Sequence, residues 1–311
     1  MIGAVSLAAY AVVAGFLVPA ALRRDWAVRA PRLAMGLWLA LSASWVVAIT
    51  LAVLAVTVPF VLSWPGVRPG DDPRLLSGQA MPGGMAVAVT GLFLTTAVVL
   101  RACAHVVSGL ARARRERREH SAFLEAAGRP DRVIGAVVID DDSPAAYCLP
   151  LGRRYQVVVS TAALALLGPG PLQAVLAHES AHLRGRHHLT LTTASALARA
   201  FPHVPLLAQA GKELALLAEM AADDAAARRH DRADLAAALV ILGTAAARPA
   251  ALTAGGPAAM ARIQRLLDPP ARPGRSIRTA RLAAGGAALA LPAVVVCLPL
   301  IVVACDVAGR A

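Results

Sequence analysis

The amino-acid sequence predicts a mainly α membrane protein, with four transmembrane helices and a cytoplasmic α+β domain inserted between the third and fourth spans. Hydrophobic residues make up 58% of the 311 residues, and the mean hydropathy is +0.61. Soluble domains are less apolar than this. Long apolar runs stand at both ends of the chain, and arginines cluster beside them in a chain of net charge +12.

Each predicted span is long enough for a helix to cross the hydrocarbon core of a bilayer. The first has no basic residues before it and several arginines after it, which favours a retained span over a cleaved signal peptide. Proline and glycine predict a turn-rich loop over 63–84. The predicted spans are residues 2–22, a stretch within 33–62, 85–107 and 282–304.

Three regions follow from these spans. Residues 1–110 hold three transmembrane helices and short loops, residues 111–270 form the cytoplasmic domain, and residues 271–311 form a basic linker and the fourth helix. Arginines flank the inserted domain and the first loop, whereas loop 63–84 is nearly neutral. The positive-inside rule therefore predicts a multi-pass plasma-membrane protein with both termini extracellular. The same rule accounts for the basic charge, so we expect no direct binding to nucleic acid.

Within the inserted domain, the pattern predicts a small sheet beside helices. Residues 111–127 read as a basic helix that leaves the membrane, and Thr161–Leu167 as a short capped helix. Arg132–Asp140 and Tyr155–Ser160 are short and β-branched, as strands are. A free strand edge can hold an extended peptide through main-chain hydrogen bonds. Tyr155–Ser160 is the candidate for that edge, and a place in the core is the alternative.

The stretch Val175–His188 contains the pattern His-Glu-x-x-His in a segment that reads as helix. Residues four apart on a helix share a face, so His178 and His182 can turn both imidazoles to one metal ion. Glu179 then lies beside the metal, where it can act as a general base. Two histidines and an open position are typical of a catalytic zinc site.

Two residues compete for the third ligand. Gly185 and His188 fit the pattern in which a glycine ends the helix and a third histidine returns to the metal. If the helix continues through Gly185, however, His188 is rotated away from the metal. Glu219 and Asp223 lie one helical turn apart downstream. We favour Glu219 as the ligand, with Asp223 accepting a proton from the second nitrogen of a ligand histidine.

Together, these two motifs and the flanking spans resemble the integral-membrane gluzincin peptidases of the BlaR/MecR antibiotic-sensor type, and more distantly the HtpX-like and CAAX-prenyl proteases. The resemblance implies a gluzincin-like peptidase domain with His178, His182 and Glu219 as ligands of Zn²⁺. It implies Glu179 as the general base and Asp223 as a support behind the ligands. It also implies a protein or peptide substrate, for which a transcriptional repressor is a candidate. No penicillin-binding domain follows the last span in this sequence, so we do not expect direct β-lactam sensing.

An alternative is a catalytically inactive signalling or scaffold protein with a vestigial zinc site. A structural site needs no base and usually closes with cysteine or a fourth histidine, so Glu179 favours the peptidase. Arg228, Arg229 and His230 are candidates to stabilise an oxyanion, although exposed surface charge is the favoured interpretation for each, as it is for His187. The four cysteines are scattered and predict reduced thiols.

Overall fold

A computed structural model describes residues 2–23, 25–62, 84–151, 154–245, 251–271 and 274–308. Most of the chain is helical, as predicted, and the predicted loop 63–84 falls outside the described residues except for Gly84. The helices are α1 (Ile2–Val12), α2 (Val18–Leu22), α3 (Asp25–Arg29), α4 (Pro31–Leu62), α5 (Gly84–Ala127), α6 (Thr161–Leu166), α7 (Pro169–Arg184), α8 (His187–Ala200), α9 (Pro205–Ala226), α10 (Arg232–Ala245), α11 (Ala251–Leu267) and α12 (Arg275–Ala308).

Three helical segments of the described residues are long and apolar enough to cross a membrane, which supports membrane association. Large apolar side chains such as Phe93 and Leu100 point outward from them, as expected of helices that face lipid. The fourth predicted span, 282–304, lies inside α12, and its crossing remains a prediction. The three segments are Gly3–Leu22, Pro31–Val58 and Gly84–Ala127.

A π-helical turn, Val13–Leu17, separates α1 from α2. Pro19 follows this turn and has no N–H to donate, which favours a local change of helical pitch. The indole of Trp45 on α4 donates a hydrogen bond of 3.0 Å to the carbonyl oxygen of Ala11. Trp45 also packs edge-on against Phe201 at the end of α8, with ring centroids 5.4 Å apart. This tryptophan therefore joins the first two candidate spans to the inserted domain.

The sheet has four strands in the order β1-β2-β4-β3. The β2 and β4 strands are parallel, and the other two pairs are antiparallel. The predicted strand Arg132–Asp140 is shorter than expected, because a turn at Gly135, with a φ of +69°, precedes β2. The strands are β1 (Arg129–Asp131), β2 (Ala136–Ile139), β3 (Ala146–Leu151) and β4 (Arg154–Ser160).

The prediction that Tyr155–Ser160 forms the sheet edge is wrong. These residues belong to β4, which lies between β2 and β3. Val158 and Val159 are fully buried; a run of valines buried on both faces is typical of a central strand. The outer strand on this side is β3, which the sequence analysis did not assign as a strand. Any added peptide strand would therefore pair with Ala146–Leu151.

Ser160 fixes the junction between the sheet and the helices. Its hydroxyl oxygen accepts hydrogen bonds from the N–H of Ala163, at 3.1 Å, and from the N–H of Ala145, at 2.9 Å. The first bond caps the N-terminus of α6, as predicted. The second holds the start of β3, so one serine positions both elements.

The inserted domain shares a core with the candidate spans. Leu206, Leu207 and Leu214 on the first half of α9 are fully buried. They belong to one apolar cluster with Trp38 and Trp45 of α4. The second half of α9 carries the predicted third ligand. The helix that presents this carboxylate is thus anchored in the bundle formed by the first spans.

Candidate metal centre

The helix α7 begins at Pro169 after Gly168, and its apolar face packs against the sheet. Proline suits the first turn of a helix because its missing N–H would be unpaired there. Leu172, Val175 and Leu176 are buried in this contact. Val175 lies three, four and seven residues before His178, Glu179 and His182, so the motif lies beside the buried face rather than opposite it. The packing of this face therefore also holds the motif inside the domain, where its histidines meet Glu219 of α9.

The structure brings together His178, His182 and Glu219, and their ligand atoms all lie within 4.8 Å of one another. The Nε2 atoms of the two histidines are 3.1 Å apart. Glu219 Oε2 lies 3.5 Å from His178 Nε2, and Glu219 Oε1 lies 3.3 Å from His182 Nε2. Two ring nitrogens and one carboxylate thus converge on a single point that could hold a metal ion.

Asp223 stands behind His178. Its Oδ1 atom lies 2.9 Å from His178 Nδ1, and its side chain is 1% exposed. A carboxylate at this nitrogen favours the tautomer whose Nε2 lone pair is free for a metal. Asp224, the next residue, turns away and pairs with Arg265. The geometry therefore distinguishes Asp223, which contacts His178, from its neighbour, which does not.

An arginine from α11 joins both acidic residues of this cluster. Arg262 donates to Asp223 through Nε and Nη2, each at 2.8 Å. Its Nη1 atom lies 2.9 Å from Glu219 Oε2. The guanidinium has two separate carboxylates as partners, and its side chain is largely buried. The arginine that reaches the cluster is therefore neither Arg228 nor Arg229.

Neighbouring charges and burial together explain the pKa shifts of Asp223, Glu219 and His182. Burial alone would raise the pKa of Asp223, but Arg262 and His178 outweigh it and lower this pKa to about 2. Burial likewise opposes ionisation of Glu219, yet contact with His178 and the charge of Arg262 lower its pKa. Both acids are therefore held as carboxylates. Burial lowers the pKa of His182 to about 4, which favours the neutral imidazole that a metal needs.

The chain turns sharply after α7. The helix ends at Gly185, and Arg186 takes a left-handed conformation with a φ of +49° before α8 begins. The assumption that the helix continues through Gly185 is therefore wrong. Even so, His188 is not part of the ligand group found among the described residues. The turn instead brings His187 back to the side of His182.

His187 supports His182, and the expectation that it would be an exposed surface residue is wrong. Its ring is buried, and its Nδ1 atom lies 2.9 Å from His182 Nδ1. A Cβ atom at Gly185 would collide with the ring of His187. Glycine is therefore needed at this turn so that His187 can fold back beneath the cluster.

Glu179 lies between the ligand histidines and the edge strand. Burial raises the pKa of Glu179, although the charge of His178 and the Cys148 thiol counteract part of that effect. Burial also raises the pKa of the Cys148 thiol to about 12, and the neighbouring Glu179 carboxylate contributes. Cys148 is thus a neutral thiol beside the predicted base. It marks the place where β3 passes the motif helix.

Two histidines from one helix, a glutamate from a second helix and an adjacent half-buried glutamate are together typical of a metallopeptidase. Residues 110–269, just over half of the chain, match Peptidase family M48. The chain belongs to this family of metallopeptidases. No curated protein and no solved structure matched the chain. The prediction of a metallopeptidase is confirmed at the level of the family, and the BlaR/MecR type remains a prediction.

Sequence reasoning missed Arg262 and His187. Arg262 lies 39 positions after Asp223, and nothing in its neighbourhood distinguishes it from the other arginines of a basic chain. His187 left a weak signal, because it directly follows a possible helix end at Gly185. The missing information was the backbone conformation of Arg186, which decides whether His187 or His188 folds back towards the ligand histidines.

Proposed function

We propose that this protein is a membrane-embedded zinc endopeptidase that cleaves a cytoplasmic or membrane-proximal protein. The observation that carries the proposal is the convergence of His178, His182 and Glu219. Each of these residues also contacts a second polar side chain that fixes its orientation. Asp223 supports His178, His187 supports His182, and Arg262 supports Glu219. Ligands that are fixed in this way are typical of a metal site.

The donor set fits zinc. A tetrahedral Zn²⁺ ion with bonds of about 2.0 Å has donor atoms about 3.3 Å apart. The two histidine Nε2 atoms are 3.1 Å apart, and each lies 3.3 or 3.5 Å from one of the two carboxylate oxygens of Glu219. Two imidazoles and one carboxylate are also the ligands of many catalytic zinc sites, which keep their fourth position for water or substrate. The residues present therefore suit this ion in its catalytic form.

When bound, zinc would polarise the scissile carbonyl group and lower the pKa of a water molecule. Glu179 would accept the proton of that water and later deliver it to the leaving amine. Its burial supports this role, because a general base works best when its pKa is close to the working pH, and burial shifts the pKa of Glu179 in that direction. Glu179 follows His178 directly in α7, so the base and the ligands are set by one rigid helix.

The substrate would bind along β3. This strand is the last in the sheet order, and Cys148 at its middle neighbours Glu179. A peptide that adds to β3 in extended form would gain main-chain hydrogen bonds and pass the base at the same time. This arrangement supports cleavage within a flexible, extended segment of a protein. Recognition through the main chain demands little of the substrate sequence.

The proposed membrane orientation and the proposed substrate are inferred from the sequence. The arginine distribution supports a multi-pass plasma-membrane protein with a cytoplasmic catalytic domain and extracellular termini. The resemblance to BlaR/MecR-type proteins supports a transcriptional repressor as substrate and a role in regulation. The alternative, an inactive scaffold with a vestigial site, is less well supported because Glu179 and the complete set of ligands are retained.

The test compares the wild-type protein with Glu179→Gln, using casein and any repressor encoded beside the gene. Loss of a general base typically slows the reaction by about 10²–10⁴-fold, whereas zinc content should stay at one ion per chain. Glu213→Gln is the matched control, since Glu213 is also a half-buried glutamate whose pKa is raised by burial. Full activity in Glu179→Gln would refute the mechanism. Stoichiometric zinc without any cleavage by the wild-type protein would favour the scaffold.

A further inference from the structure

A basic cavity of about 480 Å³ lies next to the metal centre, where the turn before α4, the end of α9, α11 and the start of α12 meet. Five arginines and one aspartate are among the residues that line it. The charged lining residues are Arg29, Arg32, Arg228, Arg232, Arg265 and Asp224.

The aspartate in this basic cavity is already neutralised. Arg265 donates to both carboxylate oxygens of Asp224, at 2.8 and 2.9 Å, and its Nε atom donates to the carbonyl oxygen of Val28 at 3.0 Å. The remaining arginines come from two parts of the chain, 29–32 and 228–232, and line the same space. Of these, Arg228 donates to the carbonyl oxygen of Asp224 at 3.0 Å. Like charges that converge in this way repel each other unless an anion lies between them. Guanidinium groups suit phosphate best, because they bind its oxygens two at a time.

One wall of the basic cavity is apolar and belongs to the candidate spans. Pro31 and Leu33 begin α4, and Leu282 lies on α12 where the fourth predicted span starts. The arginines would thus lie at the depth of the lipid headgroups, with apolar side chains on the membrane side. A soluble phosphate compound would leave that wall unused, whereas a lipid would contact it with its acyl chains.

We propose that the basic cavity binds the phosphate group of an anionic membrane lipid. The inference rests on the membrane location in the proposed function, but not on the peptidase activity. Bound lipid would lie close to the catalytic machinery, since Arg265 and Arg262 are neighbours on one face of α11 and their partners Asp224 and Asp223 are adjacent on α9. Lipid binding in the cavity would therefore make the region beside the metal centre sensitive to the lipid composition of the membrane.

The experiment measures lipid binding to the full-length protein in detergent by native mass spectrometry. The protein is delipidated and offered equal amounts of phosphatidylglycerol and phosphatidylcholine. The double variant R32Q/R232Q removes two arginines of the cavity. R114Q/R118Q is the matched control, because it removes the same charge from exposed positions on α5. R32K/R232K keeps the charge and tests whether the cavity still folds.

We expect the wild-type protein and R114Q/R118Q to prefer phosphatidylglycerol, and R32Q/R232Q to lose at least about tenfold of that preference. R32K/R232K should recover only part of it, because an ammonium group does not bind two phosphate oxygens in parallel. Equal loss in R114Q/R118Q, or no loss in R32Q/R232Q, would overturn the proposal in favour of general charge attraction.

A second arm uses glycerol 3-phosphate to distinguish the source of the phosphate. Competition with phosphatidylglycerol supports one shared phosphate site. Binding of glycerol 3-phosphate that depends on Arg32 and Arg232, without any preference for phosphatidylglycerol, would overturn the lipid as the ligand. Every arm measures lipid or phosphate binding and none measures cleavage. The results can therefore be interpreted even if the wild-type protein has no peptidase activity.

Discussion

Arg262 and Asp223 form a bidentate ion pair in which Nε and Nη2 of the arginine each donate at 2.8 Å to a different carboxylate oxygen. The same carboxylate lies 2.9 Å from His178. One arginine on α11 therefore holds the residue that orients a predicted ligand on α7. Since its third nitrogen also contacts Glu219, Arg262 is the residue on which two sides of the metal centre depend.

Replacing Arg262 should weaken metal binding without removing any ligand. In Arg262→Ala, Asp223 would remain buried without its cation, and Glu219 would lose a support. We expect zinc affinity to fall by about 10–100-fold, as is usual when such supporting partners are lost. Arg262→Lys should restore only part of this affinity, because an ammonium group cannot bind both oxygens of Asp223 in parallel.

The measurement is a competition titration with a chelator, and thermal unfolding is followed in parallel. Arg229→Ala serves as the control, since Arg229 is exposed. Unchanged zinc affinity in Arg262→Ala would show that the arginine does not position the ligands. A lower melting temperature alone would point to a purely structural role.

His187 and His188 should differ sharply as targets. His187→Ala would remove the contact behind His182, so we expect zinc affinity to fall by about tenfold or more. His188→Ala should leave the affinity within about twofold of wild type, because His188 is outside the ligand group. The same chelator titration compares the two variants. The opposite ranking would support the arrangement in which the chain turns at Gly185 and His188 binds the metal.

Gly185→Ala should act through His187. The added methyl group would collide with the His187 ring and displace it, so zinc affinity should fall about as far as in His187→Ala. Gly243→Ala is the control, because a methyl group there meets no atom within 4 Å and alanine is the better helix former. If Gly185→Ala binds zinc like the wild type, the turn tolerates a side chain and the close approach is unimportant.

Cys148 should react unusually slowly with alkylating reagents. With its pKa raised to about 12 by burial and by Glu179, roughly one thiol in 10⁴ is ionised at pH 8, and only the thiolate reacts. The rate should keep rising about tenfold per pH unit up to pH 10. Peptide mass spectrometry after iodoacetamide treatment would follow it, with unfolded protein as the control. A plateau near pH 9 would indicate an ordinary thiol whose access is merely restricted.

The sequence predicted the parts of this molecule that depend on local spacing. The three candidate spans, the basic helix to Ala127 and the cap at Ser160 follow from short-range patterns of polarity. The pairing of Glu219 with the histidine motif also followed, because two helical motifs each place their residues on one face. These features need only the period of a helix and the length of an apolar run.

Features that depend on long-range packing could not be predicted in this way. The position of β4 in the sheet depends on where β2 and β3 pair, and a valine run alone fits a central strand as well as an edge strand. Arg262 reaches the centre only because α11 packs on α9. No periodicity within either helix contains that information, which is why one arginine among many could not be distinguished.

The packing of α9 against the candidate spans also limits how the family domain can be separated from the rest of the chain. The family match begins at residue 110, yet Leu206, Leu207 and Leu214 are buried in a cluster shared with α1 and α4. A fragment without those spans would expose these leucines to water and lose the support of the helix that presents Glu219. A fragment that begins at residue 110 should therefore lose the candidate metal site rather than keep it. Under the proposed function, in which these helices lie in a bilayer, substrates would have to reach the membrane surface.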